Sequence, residues 1–194
     1  MSENNDNEKS IFDQVDSHQI AVALAVKEIF NTVISQGLNQ PIRLFSLVKS
    51  TKLIELPNLD EDLKNNLKNS LEFVPEHLSS IEQENIPQIE IDELLAQIKW
   101  DEEVDGCAIY MEQNAVDQQS LENAPQDEQE QLEYYKNHES FTKICVCAGV
   151  HKNGTSWTVL KVVHDANNLE DTEESRSGVN IIPEVTSALL TTFE

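Results

Sequence analysis

Apolar residues recur at helical spacing soon after a polar start: Val22, Val26, Ile29 and Val33, flanked by Ala25 and Phe30, keep one broad face. This predicts a helix capped at Ser17 and stopped at Gly37. In "QPIRLFSLV" the period drops to two, with Ile42, Leu44 and Val48 alternating against Arg43, Phe45 and Leu47, and the segment reads as a strand entered at Pro41. Leu63, Leu67 and Leu71 return to four-residue spacing and predict a short amphipathic helix ending before Pro75. Ser79–Asn85 reads as a polar edge strand, its Glu82 and Glu84 on one face guarding an open sheet edge. "IDELLAQIKW" predicts a third helix, with Asp92 as cap and Leu94, Leu95 and Ile98 inward, followed by the strand "VDGCAIYMEQ". Pro183 suits the first turn of a closing helix that carries Val185, Leu189, Leu190 and Phe193.

The longest patterned stretch is "KICVCAGVHKNGTSWTVLKVVHD". Asn153-Gly154 between two apolar runs signals a β-hairpin with a two-residue type I′ turn, because both central positions then need positive φ. That turn pairs Lys152 with Thr155, Val150 with Trp157, Ala148 with Val159, Val146 with Lys161 and Ile144 with Val163, an apolar stripe assigned to the core. Cys145, Cys147, Gly149 and His151 then share the other face with Val162, Leu160, Thr158 and Ser156. The cysteine end of that face is apolar, so either a helix or a second copy of the chain is expected to cover it.

These elements sum to an α+β fold: an antiparallel sheet with a central hairpin, packed by N-terminal, middle and C-terminal helices. A chain of 194 residues suits one such domain, from residue 17 to 194. The polar excess is concentrated in an N-terminal tail (1–16), read as disordered, and in acidic insertions at 114–138 and 165–178, with a helical turn or more near Leu132, Tyr134 and Tyr135 in the first.

Charge narrows the partners. Thirty-six acidic residues against 13 basic ones give a net charge of −23 and a pI near 4.3. Nucleic acid and anionic membranes both rely on Lys/Arg neutralisation, so neither is an expected partner; a basic protein is. Equally, such a surface serves simple solubility. No apolar run reaches membrane-spanning length, the start lacks a signal-peptide pattern, and three cysteines do not make a disulfide framework, which together predict a cytoplasmic protein.

Candidate chemistry is sparse. The chain carries no phosphate loop, G-x-G-x-x-G, H-E-x-x-H or G-x-S-x-G motif, and no cofactor or catalytic residue is assigned. "DEEVDG" lacks the oxygen spacing of a calcium loop and reads as a turn. Cys107, Cys145, Cys147 and His164 would make a zinc cluster only if the "GCAI" strand were a neighbour on the correct face; His151 lies roughly 13 Å along the strand from Cys147, too far to join. Small buried thiols are the preferred reading, and C-x-C in a strand, with Cα atoms about 6.6 Å apart, sits at the strained limit for a disulfide. Arg43, inside an apolar strand, suggests either a structural ion pair or an anion site near the Gly106-Cys107 strand.

"QPIRLFSLV", "SSIEQENIP", "IKWDEEVDGCAIYME" and "CAGVHKNGTSWTVLKVVHD" together resemble an uncharacterised family of small acidic cytoplasmic proteins of actinobacterial genomes, across Ser17 to Phe193. The resemblance implies no activity, cofactor or catalytic residue; the abundance of Asn, Lys and Ile departs from that family's usual composition. The element order is also loosely similar to acidic dimeric secretion chaperones, whose helices cover a bent antiparallel sheet. The functional expectation is a non-catalytic interaction, adaptor or chaperone-like protein, a homodimer through Cys145, Leu160 and Val162, holding a basic partner. The alternative is a small-ligand or enzymatic site near Arg43.

Overall fold

The computed structural model describes residues 16–115, 142–163 and 175–194, with Pro125, Asp127 and Glu130 between them. Helix α1 spans Ser17–Ile34, and its cap is Asp16 rather than Ser17: the carboxylate accepts the His18 N–H at 3.0 Å. An anion there also complements the helix dipole. Burial matters more than the cap. Val22, Val26, Ile29, Phe30 and Val33 are buried, and at roughly 1.5–3 kcal/mol each they outweigh a cap of about 1 kcal/mol.

Strand β1 (Arg43–Lys49) runs into the short helix α2 (Ser50–Ile54), then α3 (Glu61–Phe73) and β2 (Leu78–Glu82). Asp60 caps α3 by accepting the N–H groups of Asp62 and Leu63. The third expected helix contracts to α4 (Ile91–Leu95), where Asp92 lies in the first turn and the cap position belongs to Glu90, without a side-chain bond. Strands β3 (Gly106–Ala115), β4 (Thr142–His151), β5 (Ser156–Val163) and β6 (Ser175–Gly178) follow, and α5 (Pro183–Thr191) ends the fold.

All pairings are antiparallel, in the order β2-β1-β3-β4-β5-β6. The fold is therefore α+β, with β2 at one edge as the sequence predicts. The other edge, β6, comes from the last four residues of the second acidic insertion, and β3 continues two residues into the first. Of the N-terminal tail only Asp16 is described; the helical turn expected near Leu132 lies outside the described residues.

The hairpin exists, but its register differs by one residue from the expected one. Val150 pairs with Ser156, Ala148 with Thr158, Val146 with Leu160 and Ile144 with Val162. The reason is the turn. His151 O accepts the Gly154 N–H at 2.9 Å, His151 N donates to Thr155 O at 2.8 Å, and of Asn153 and Gly154 only the glycine has positive φ, +96°. That is a three-residue loop closed by a bulge at Gly154, not a two-residue I′ turn. Because strand faces alternate, the slip moves Trp157, Val159, Lys161 and Val163 to the face that carries Cys145 and Cys147.

Both sheet faces are consequently apolar, and both are covered by the chain's own helices. Helix α1 lies over Phe45, Leu47, Ala108, Tyr110, Cys145, Cys147 and Val159. Helices α4 and α5 cover Leu44, Cys107, Ile109, Ala148 and Val150, with Leu94, Leu95 and Leu189 filling the layer between. The cysteine end expected to await a cover thus has one in α1.

Candidate functional site

Sheet sidedness separates the expected metal ligands. Cys107 faces α5, its Sγ 3.9 Å from Leu189 O and Thr192 Oγ1, while Cys145 and Cys147 face α1 on the opposite side. His164 lies outside the described residues. Among the described residues no group of three or more His, Cys, Asp or Glu is arranged to hold an ion. All three thiols are free and buried. Burial pushes Cys107 up to about 12 and raises Cys145 and Cys147 as well, which disfavours the thiolate.

Arg43 is engaged in pairing. Its Nε donates to Glu82 Oε1 at 2.6 Å, Nη2 to Glu82 Oε2 at 2.5 Å and Nη1 to Gln36 Oε1 at 2.7 Å. The hydrogen bonds to Glu82 raise the guanidinium's pKa further, and the group also lies 5.7 Å from the Phe45 ring centroid. A hollow of about 490 Å³ beside it is bordered by Glu82 and Glu84, which would repel an anion. Nor does Arg43 meet the Gly106-Cys107 strand end: Arg43 is opposite Tyr110, Gly106 is opposite Leu47, and Cys107 points to the other face. Leu160 and Val162 are half-buried on the sheet face opposite Cys145, so the expected interaction residues do not form one patch.

Two carboxylates that sequence reasoning passed over act as structural hubs. Asp105, 3% exposed, accepts the Lys49 N–H at 3.0 Å and pairs with Lys52 at 2.9 Å and Lys152 at 3.1 Å. Burial alone would raise its pKa; the Lys49 N–H and the two ammonium groups outweigh that and hold it below the ordinary range. Glu112 accepts the N–H groups of Asn39 and Gln40 at 2.8 and 3.0 Å, the Tyr110 hydroxyl at 3.0 Å, and pairs with Lys143 at 3.1 Å. It clamps the α1–β1 connection onto β3. A third polar cluster sets His18 against His151, with ring centroids 4.8 Å apart and the planes tilted by 56°, beside Glu76 and Lys49.

Open space with a built wall lies elsewhere. Between the α4–β3 connection and the end of α5 is a groove of about 610 Å³, whose apolar side is Ile98, Trp100 and Phe193. Trp100 Nε1 donates to Thr192 Oγ1 at 2.8 Å, and its ring is nearly parallel to Phe193, 24° between planes and 6.2 Å between centroids. Thr192 Oγ1 is fixed in turn by Leu189 O at 2.6 Å. The rim carries Asp101, Glu102 and Glu194 against Lys99 and Lys152. Lys152 is already held by Asp105 and by the carbonyls of Glu102 and Val104, so the rim is acidic in effect. The sequence signal was the apolar "IKW" directly before "DEE", which by itself reads only as a helix end and a turn.

Neither the curated proteins nor the solved structures contain a significant match to this sequence. Residues 22–194, however, match the model of a protein family described as PPA1309-like protein. That match spans all six strands and nearly every helix, so the chain belongs to the PPA1309-like protein family.

Proposed function

We propose that this protein is a non-catalytic interaction protein, adaptor or chaperone-like, which receives a basic and partly apolar segment of a partner protein in the Trp100–Phe193 groove. The observation carrying this reading is an aromatic wall ordered by the Trp100–Thr192 hydrogen bond and edged by Asp101 and Glu102, on a chain of net charge −23. Flat aromatic faces take apolar side chains and cations alike, and the acidic rim favours lysine or arginine over carboxylate. A cytoplasmic setting and kinship with actinobacterial proteins are part of this proposal, and nucleic acid and membranes are not its partners. A small-ligand or enzymatic site at Arg43 is less well supported, since the guanidinium already serves Glu82 and Gln36.

The test is a fluorescence titration in a Trp157→Phe background, where Trp100 is the remaining tryptophan. A short Lys/Leu peptide should shift the Trp100 emission and be released by salt, while its Glu/Leu counterpart has no effect. With a labelled peptide, Trp100→Ala should weaken binding about tenfold, the scale of an aromatic anchor. Equal binding to Trp100→Ala, or no binding of the basic peptide, overturns the proposal.

A further inference from the structure

Of seven large hydrophobic residues exposed among the described residues, five belong to α1, α3 or the connection into α3: Ile20 and Leu24 lie on α1, Leu63 and Phe73 on α3, and Leu56 on the connection, while Ile81 and Val179 lie elsewhere. Phe73 is the extreme case at 83% exposure. It stands at the rim of a hollow of about 580 Å³ between α1 and α3, walled by Leu24, Val74 and His77. A knob and a hole therefore sit side by side on one face.

We infer that this α1/α3 face is where two copies of the chain associate, the Phe73 of each copy filling the partner's α1/α3 hollow. An isologous dimer uses one patch twice, so a projecting ring and a neighbouring receptacle on the same patch satisfy each other across a two-fold axis. Local charge suits a second copy here. The charged lining of the hollow is balanced, Lys27 against Glu28, although the whole chain is at −23. On α3 the exposed charges are Glu61, Asp62, Lys68 and Glu72, with Lys64 half-buried. Two copies meet there without the like-charge repulsion that the rest of the surface imposes. This inference is independent of the Trp100 groove, which opens between α4 and α5.

Sedimentation equilibrium on the full chain tests it. The wild type should sediment at twice the 22.0 kDa chain mass. Phe73→Asp should raise the dimer dissociation constant by at least about tenfold, and Leu24→Asp likewise. Phe73→Asp should leave the melting profile of the subunit intact when followed at monomeric dilution, because the ring is 83% exposed. Val179→Asp, at an exposed apolar position on neither helix, should leave the dimer unchanged. A wild type that remains monomeric at roughly 100 μM, above the micromolar dissociation constants of specific dimers, or a dimer indifferent to Phe73→Asp, would overturn the inference.

Discussion

Gly149 of β4 passes directly beneath Val26 of α1: a Cβ on the glycine would lie 2.5 Å from Val26 Cγ2 and 3.2 Å from Ala108 Cβ. Only a hydrogen at this position lets the helix settle onto the sheet. Gly149→Ala should therefore destabilise the fold by about 1–3 kcal/mol, the cost of overpacking a dense core. Chemical denaturation would show it as a lower midpoint at unchanged slope. Pairing Gly149→Ala with Val26→Ala should recover part of the loss, since the second change removes the opposing methyl group.

Arg43 and Glu82 join two strands through a doubly bonded pair. Glu82 is 43% exposed at its side chain, so Arg43→Ala should cost about 1–2 kcal/mol, below the range for fully buried charge pairs. A double-mutant cycle with Glu82→Ala separates the pair from the packing of the arginine stem on Phe45. A stability loss that shrinks when Glu82 is already alanine, to what the Gln36 bond and the Phe45 contact contribute, is the expected result; two independent losses would place the effect outside the pair.

Acid should weaken the protein in two stages. Burial lowers the His151 pKa, which remains depressed although the Asn153 contact and the Asp105 charge favour the proton; His18 and Lys49 reinforce the depression. The unfolded chain then binds more protons than the folded one just below the ordinary value of 6.5, so His151's contribution is complete above that pH and is lost on acidification from there. Glu76 also faces this cluster, and its pKa is lowered chiefly by Lys49. Asp105, held below its ordinary value of 3.8, contributes fully above that value and loses its contribution as the pH falls through its folded pKa. Stability measured against pH should accordingly fall first below about pH 6.5 and again below about pH 4. His151→Phe should reduce the first decline, leaving the part due to His77, whose pKa burial also lowers, and Asp105→Asn should reduce the second while costing about 2 kcal/mol at neutral pH. An unchanged upper limb in His151→Phe would refute the assignment.

The thiols offer a direct check on burial. With Cys107 raised to about 12 and all three thiols enclosed, a thiol-specific disulfide reagent should leave the native protein essentially unmodified over the time in which it titrates all three after denaturation. Rapid reaction of one thiol in native buffer would show an opening of α1 or α5 away from its sheet face.

Local pattern sufficed wherever one residue period dominated. The broad apolar face of α1, the alternation in β1, the presence of α3 and the edge position of β2 were all legible, because burying an apolar stripe leaves few alternatives for such segments, although of the expected Leu63, Leu67 and Leu71 stripe only Leu67 is buried. The α+β class followed from their order.

Where local pattern allowed two solutions, tertiary packing chose. Asn153-Gly154 suits a tight I′ turn and a bulged loop alike; with both faces of the hairpin apolar, neither face excluded the one-residue slip, and the docking of α1 over Gly149 and Val159 selected the bulged register. The β3–β4 pairing, in which Cys107 lies opposite Val150, sent Cys107 and Cys145 to opposite sides of the sheet, which no spacing between them in sequence expresses. Likewise Trp100 and Thr192, separated by 92 positions, meet only because α5 returns across the sheet to α4. Composition and periodicity thus determined which segments had to be helix or strand, and that the surface is acidic. Which faces met, and so which side chains share a groove, was decided by packing between residues far apart along the chain, where local pattern carries no term for contact.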